Sequence, residues 1–401
     1  MAKIVLLSLP AFGHVNPEST IMAELVRRGH EVVACNDAEF ASRFEAVGAT
    51  FLPYPKAISL GDLTQALADG NLIAAYDLIL RATEPLTDFC LAELPRLAPD
   101  VVVYDATCLW GEIAARRLGL KAVSISPFFV FELFRHLIGP REFLGHAWNF
   151  VPRLPALALD WLRLLRFGVR NLPLRSPMFP MRGERTLLLT SRELHPASPL
   201  FKGPHFVFVG PSIDPTTRPD RFDFDRLDGR PVVYLSLGTV HFTNDRFFNE
   251  AMAALADFPA QFLLSAGRGT DVSRFAGVPG NFIVEETFPQ LGVLERASLF
   301  ITHGGLNSLH EGLWYGVPMV IVPQQFEQLR NALTAGKGGA AIVLDGECYG
   351  RPVSGTQLRA AVEAAFADQT LRFRARALGQ SLRDAGGFRA AASEIEAVAA
   401  G

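Results

Sequence analysis

Twice along this chain, short aliphatic runs end at glycine- or proline-rich turns and give way to helical stripes, and that alternation restricts the fold to parallel sheets flanked by helices. Residues 4–9 form the first such run, and the turn-rich Pro10-Ala11-Phe12-Gly13 follows it. Residues 18–28 then place Ile21, Met22, Leu25 and Val26 on one helical stripe, with Gly29 as the stop. Residues 31–34, 101–104 and 122–126 read as further strands, the last two separated by a helix over 111–118. The pattern restarts after residue 230, with strands expected over 232–236, 261–265, 299–302 and 319–322. Between the halves, residues 212–231 are rich in Pro, Asp and Arg without apolar periodicity, which marks a linker. At 401 residues the chain exceeds the roughly 250–300 at which one core stops growing. The expected fold is therefore α/β, with two Rossmann-like doubly wound parallel-sheet domains facing a cleft. They span 1–211 and 231–386, joined by a linker over 212–230 and followed by a closing helix over 387–401.

A formal charge of −3 offers no basic field for nucleic acid, so a small-molecule partner is expected. Cys35, Cys90, Cys108 and Cys348 lie far apart without a CxxC pair, which points to buried free thiols in a reducing compartment, the cytoplasm. The apolar N-terminal run stops at Pro10 without a small-residue cleavage site, so it reads as a strand and not as a signal peptide. No run of about 18 apolar residues exists to form a spanning helix. Residues 128–175 depart from the alternation. There Phe129, Phe131, Phe134, Trp148, Phe150, Trp161 and Phe167 interleave with Arg135, Arg141, Arg153, Arg163, Arg166 and Arg170. Basic amphipathic helices of this kind suit peripheral contact with a membrane surface. Core helices with a snorkelling arginine face suit the pattern better, and would wall an apolar pocket.

The densest cluster of polar signals is the stretch from Leu299 to Glu311, which contains His303-Gly304-Gly305-Leu306-Asn307-Ser308, followed by Gly316-Val317-Pro318. A strand ends there at a glycine turn and a helix opens, with Asn307 and Ser308 suited to N-cap positions. Amides and the positive end of the helix dipole then favour phosphate at the carboxyl edge of the sheet. Glu311, one turn on, is placed to accept hydrogen bonds from ribose hydroxyls. In the other half, His14 follows the first strand and Asp105 follows the strand over 101–104, so both sit on the same edge of a parallel sheet. A histidine oriented by a carboxylate is a competent general base for a hydroxyl.

Pro289-Gln290, His303-x-Gly305-x-Asn307-Ser308, Glu311, Gly316-Val317-Pro318, Pro323 and Glu327-Gln328 together resemble the signature of the UDP-dependent glycosyltransferases with the GT-B fold, over nearly the whole chain. The family includes plant secondary-product and bacterial macrolide enzymes. The resemblance implies that His303, Gly305, Asn307 and Ser308 hold the donor diphosphate, together with Ser236, Gly238 and Thr239 of a second loop. It implies Gln290, Glu311 and the Thr287 position for the nucleoside, and Glu327 with Gln328 for the donor sugar. It makes His14 the base and Asp105 its partner, while the Phe-rich first half of the chain places Phe12, Phe128, Phe129 and Phe131 at the expected acceptor pocket.

Thr287 stands where the family often has a base-stacking tryptophan, and Glu327 where aspartate is more usual. A UDP-hexose, with glucose preferred, is the expected donor, and a dTDP-deoxysugar the alternative. The acceptor is a small apolar phenol, polyketide or macrolide-like alcohol. No cofactor and no metal are expected: Asp223-Phe224-Asp225 matches an Asp-x-Asp motif but falls in the linker. A nucleotide-sugar epimerase or a non-catalytic helper are the rival classes, which the His14 and Asp105 pair and the full phosphate signature disfavour. Monomer and homodimer both remain open.

Overall fold

A computed structural model describes residues 1–59, 61–63, 65, 72–130, 155, 158–159, 162, 165, 183–196, 201, 203–217, 222–238, 245–267, 269–275 and 277–401. The chain divides into two compact units. One comprises Met1–Ser191, Pro196–Ile213 and Ala385–Gly401, the other Arg192–His195 and Asp214–Asp384.

The first unit contains β1 (Lys3–Leu7), α1 (Phe12–Arg27), β2 (Glu31–Asn36), α2 (Ala41–Glu45), β3 (Thr50–Pro53), α3 (Leu72–Leu97), β4 (Val101–Asp105), α4 (Leu109–Leu118), β5 (Ala122–Ser126), β6 (Arg185–Leu188) and β7 (Phe206–Phe208). Its strands pair in parallel in the order β3-β2-β1-β4-β5-β6-β7. β1 shows why the sequence reads as a nearly continuous apolar run: both of its faces are covered. Ile4 and Leu6 join a core with Ile21 and Leu25 of α1. Val5 and Leu7 point the other way, into a core with Leu86 and Leu94 of α3 and Trp110 of α4.

The second unit contains β8 (Val232–Ser236), α5 (Asp245–Leu255), β9 (Gln261–Ser265), β10 (Phe282–Glu285), α6 (Gln290–Arg296), β11 (Ala297–Thr302), α7 (Leu306–Trp314), β12 (Met319–Ile321), α8 (Phe326–Lys337), β13 (Ala341–Val343), α9 (Gly355–Ala367) and α10 (Gln369–Asp384). This sheet is also parallel, in the order β10-β9-β8-β11-β12-β13. Its core gathers Val233, Phe247, Phe262, Ile301, Val320 and Val362. In each sheet the strand order reverses once, at β1/β4 and at β8/β11, and an open α/β sheet places its ligands at the carboxyl ends of such a pair.

The last helix, α11 (Gly387–Ala400), belongs to the first unit. Phe388, Ala391, Ala392 and Ile395 face the core that holds Ile4 and Leu6. Glu396 accepts from Arg28 Nη1 at 2.6 Å and pairs with His30 Nε2 at 2.7 Å, which ties the helix to the end of α1 and the turn after it.

Helix α1 departs from the sequence expectation by starting at Phe12, so His14 lies on a helix and not in a turn. The Ala11 carbonyl accepts from the His14 and Val15 amides and opens the helix. Turn-type residues cost little here because first-turn amides have no intrahelical acceptor in any case. Pro17 removes one helical donor, which the burial of Val15 and Pro17 offsets. The four cysteines are free; Cys35, Cys90 and Cys108 are buried, and burial pushes the Cys35 thiol up to about 12. Cys348 is only half-buried, with its thiol donating to the Pro323 carbonyl. The aromatic stretch over 128–175 lies mostly outside the described residues. Among the described residues, no helix is long and apolar enough to cross a membrane.

Candidate active site

Leu7 is in register with Tyr104, so the carboxyl ends of β1 and β4 lie side by side. Asp105 is the last residue of β4, and His14 stands on the first turn of α1 just beyond β1. Their side chains meet, with His14 Nδ1 at 2.6 Å from Asp105 Oδ2. The carboxylate is fully buried and the imidazole is 20% exposed. An ionised carboxylate can only accept, so Nδ1 carries a proton, and in the neutral imidazole Nε2 is then the nitrogen with the lone pair. Asp105 Oδ1 also accepts from the Thr107 amide at 2.7 Å and from the Thr107 hydroxyl. Burial pushes the Asp105 carboxyl upward, but His14 and the Thr107 donors outweigh it and hold the group below the usual aspartate value.

Apolar rings flank this pair. Phe128 lies 6.1 Å from the His14 ring, and Phe12 is 39% exposed, edge-on to Phe40 at 5.1 Å. Phe129 is buried, and Phe131 is outside the described residues.

In the second unit, Thr302 is in register with Ser236, which brings the segments after β8 and β11 together. The His303 ring sits between two glycines. A Cβ on Gly238 would fall 2.5 Å from its Cε1, and one on Gly305 would fall 2.6 Å from its Nε2. Gly238 also has φ +80°, a left-handed conformation. Gly238→Ala should therefore cost about 1–2 kcal/mol in backbone strain alone, plus displacement of His303. We expect a drop of a few degrees or more in Tm by thermal denaturation, and an unchanged Tm would contradict this packing. Thr239 is outside the described residues.

Helix α7 starts at Leu306 with Gly305 as N-cap and no side-chain cap. Asn307 and Ser308 thus occupy the first turn and not the N-cap position expected of them. Glycine takes that place because the close approach of His303 leaves no room for a side chain. A helix start without a side-chain cap is a ready anion site.

Further along α7, Glu311 is buried and accepts from Gln290 Nε2 at 2.6 Å. Gln290 also reaches Ser308 Oγ at 3.4 Å and accepts from the Tyr234 hydroxyl at 3.4 Å. Burial, with Glu311 nearby, pushes the Tyr234 phenol up to about 12, so it remains a hydrogen donor. Thr287 is exposed on the turn leading to α6, and the adjacent Phe288 is buried, 4.9 Å from Phe222. On α8, Gln328 Oε1 accepts from the Gln324 amide at 2.9 Å. Asn331 Nδ2 donates to Glu327 Oε1 at 2.5 Å and to the Gly304 carbonyl at 3.1 Å, linking Glu327 to the His303 turn.

Sequence reasoning missed Thr107, Tyr234 and Asn331, although each had a positional signal. Tyr234 shares a strand face with Ser236, Asn331 lies four residues after Glu327 on a helix, and Thr107 stands two after an aspartate at a strand end. In the segment expected to be a linker, which the structure counts with the second unit, Asp223 Oδ1 accepts from the Asp225 amide at 3.0 Å, so that pair builds a local turn.

In both sheets polar groups gather where the strand order reverses, the His14–Asp105 pair in one unit and the His303 turn with the uncapped start of α7 in the other, which is where an open α/β sheet places its ligands. Comparison with known proteins agrees. The family model described as UDP-glucoronosyl and UDP-glucosyl transferase matches residues 224–381. The uncharacterized UDP-glucosyltransferase YojK of Bacillus subtilis is 30% identical over 98% of this chain and 97% of its own length. The oleandomycin glycosyltransferase of Streptomyces antibioticus is 30% identical over 99% of this chain and 90% of its own. A crystal structure of the glycotransferase of kitacinnamycin superposes with a TM-score of 0.82 at 30% identity, covering 99% of both chains. The chain belongs to this family of UDP-dependent glycosyltransferases, has the GT-B fold, and groups with its natural-product enzymes.

Proposed function

We propose that the enzyme transfers a hexose, preferably glucose, from a uridine diphosphate sugar to a hydroxyl of a small apolar natural product, with inversion at the anomeric carbon. The observation that carries this reading is the partly exposed His14 imidazole held through Nδ1 by the buried Asp105 at 2.6 Å, which leaves Nε2 on the other side of the ring. In the transfer, His14 Nε2 takes the acceptor proton and the oxygen attacks C1. The bond from C1 to the diphosphate breaks, and the nucleotide leaves with the electron pair. Asp105 stabilises the imidazolium that forms.

The second unit supplies the donor site. His303, Ser236, Gly238, Gly305 and the start of α7 at Asn307 and Ser308 take the diphosphate, and Thr239 completes that loop in the sequence. Glu311 binds the ribose with Gln290 and Thr287 beside the base, while Glu327 and Gln328 contact the sugar. Charge developing on the leaving group is met by the helix terminus and His303, which would stand in for a cation. Phe12, Phe128, Phe129 and Phe131 favour an apolar acceptor. Relatives named for oleandomycin and kitacinnamycin support a natural-product acceptor.

Screening UDP- and dTDP-sugars against phenolic and macrolide acceptors, read by product mass in excess EDTA, tests this reading. Hexose addition from a UDP donor at an undiminished rate is expected, and Glu327→Ala should change which sugar is preferred. Transfer only from dTDP-deoxysugars, or a loss restored by Mg²⁺ or Mn²⁺, would overturn the donor or the metal-free part respectively.

A further inference from the structure

One fully buried acid in the first unit has no part in the transfer just described. Glu18 lies on α1, one helical turn after His14, and is 0% exposed. Neither of its carboxyl oxygens makes a hydrogen bond of normal geometry, yet Asp105 and Ser8 are close enough to affect its titration. Among the described residues it has no ion-pair partner. The titratable groups around it are Asp105 at the end of β4, Cys108 just beyond it, and His14 on its own helix. Ser8, at the end of β1, is neutral and already accepts from Asn36 Nδ2 at 3.0 Å.

Two adjacent buried carboxyls do not both ionise. Asp105 is the one that keeps its charge, because His14 and Thr107 donate to it. A carboxylate offers about four lone-pair sites. His14 takes one on Oδ2, the Thr107 amide and hydroxyl take those on Oδ1, and a site on Oδ2 is left. Burial first, then the Asp105 charge, pushes the Glu18 carboxyl well above the usual glutamate value.

We propose that Glu18 is a positioning residue: a neutral carboxylic acid whose O–H donates to Asp105, extending the His14–Asp105 pair to a third member. This rests on His14 being the base. Sharing the Asp105 charge with a second donor weakens its hold on the His14 imidazolium, which keeps His14 available as a base at lower pH. No net proton leaves Glu18 during turnover.

Two measurements on the full-length protein test it. The first needs no turnover: denaturant unfolding of wild type and Glu18→Gln across about pH 5–8, where an acid that takes up a proton on folding changes the folding constant by up to tenfold per pH unit. Wild-type stability should fall relative to Glu18→Gln as pH rises, and parallel curves would overturn the neutral acid.

The second is the pH profile of kcat/KM. Glu18→Gln keeps a donor and should leave the acid limb within about 0.3 unit of wild type, while Glu18→Met should move it up by about half a unit or more. A downward shift in both variants would mark an ionised Glu18, and unmoved limbs in both a merely structural one. Either result overturns the positioning role. Wild-type turnover by His14→Asn, with the unfolding curves still diverging, would remove the base assignment and leave the neutral acid standing.

Discussion

Replacing His14 with asparagine should lower transfer to an unactivated aliphatic alcohol by about a hundred- to ten-thousandfold, the range general-base catalysis supplies. Asparagine nearly keeps the volume and can still donate to Asp105, so the 2.6 Å contact has a neutral substitute and the fold has little reason to change. What disappears is the basic nitrogen. Nucleotide affinity should hold, because the diphosphate and ribose groups proposed to bind it all belong to the other unit. Asp105→Asn should lose less in the chemical step, through the wrong imidazole tautomer and a weaker imidazolium. Its carbonyl oxygen can still accept from both Thr107 groups while its NH2 replaces Oδ2 at His14, so the change falls on the imidazole contact. Acceptors of increasing acidity, from aliphatic alcohol to nitrophenol, should recover rate in His14→Asn, since a hydroxyl already ionised needs no base. Equal loss across that series would point to a structural defect.

Glu311→Ala should raise the donor KM about ten- to a hundredfold with little change in acceptor KM. A buried hydroxyl that loses a charged acceptor costs roughly 1.5–3 kcal/mol, which is that range in affinity. Gln290 donates to Glu311 at 2.6 Å, so a ribose bound at Glu311 would share or displace that contact. The alanine variant also frees Gln290 to settle on Ser308 or Tyr234. Measuring Gln290→Ala beside it separates the two contributions: the loss from Glu311 should be the larger, because a charged acceptor outweighs a neutral amide. Both constants can be taken from a coupled UDP-release assay with the co-substrate saturating. Weakening of the acceptor with the donor spared would reverse the proposed division between the units.

Much of this architecture was legible because both sheets are parallel and covered on both faces. Buried strands such as those over 122–126, 232–236 and 261–265 then appear as plain aliphatic runs, and their bounds agree with β5, β8 and β9. The carboxyl-edge positions of His14, Asp105 and His303 follow from the same alternation. Less was legible where packing overrides local chemistry. Phe12 and Gly13 read as turn residues, yet α1 runs through both, because Val15, Ile21 and Leu25 bury one face of it. Asn307 and Ser308 carry good capping side chains, yet glycine caps α7 because His303 occupies the space.

Glu18 shows a deeper limit. On a helix, a glutamate reads as a solvent-facing residue, and only the tertiary contact with the end of β4 reveals a buried acid beside an ionised aspartate. Likewise, Asn331 gains its meaning from the turn of β11 that it reaches, which helical periodicity alone cannot specify.

Proton NMR of the product formed from UDP-α-glucose and a simple alcohol tests the central claim most directly, since it reads the stereochemistry and the need for a base together. A β-linked glucoside with one UDP released per transfer, reduced at least a hundredfold in His14→Asn, is the result predicted by in-line attack from a hydroxyl activated at His14. An α-linked product, or a β-linked one formed at the parent rate by His14→Asn, would contradict it.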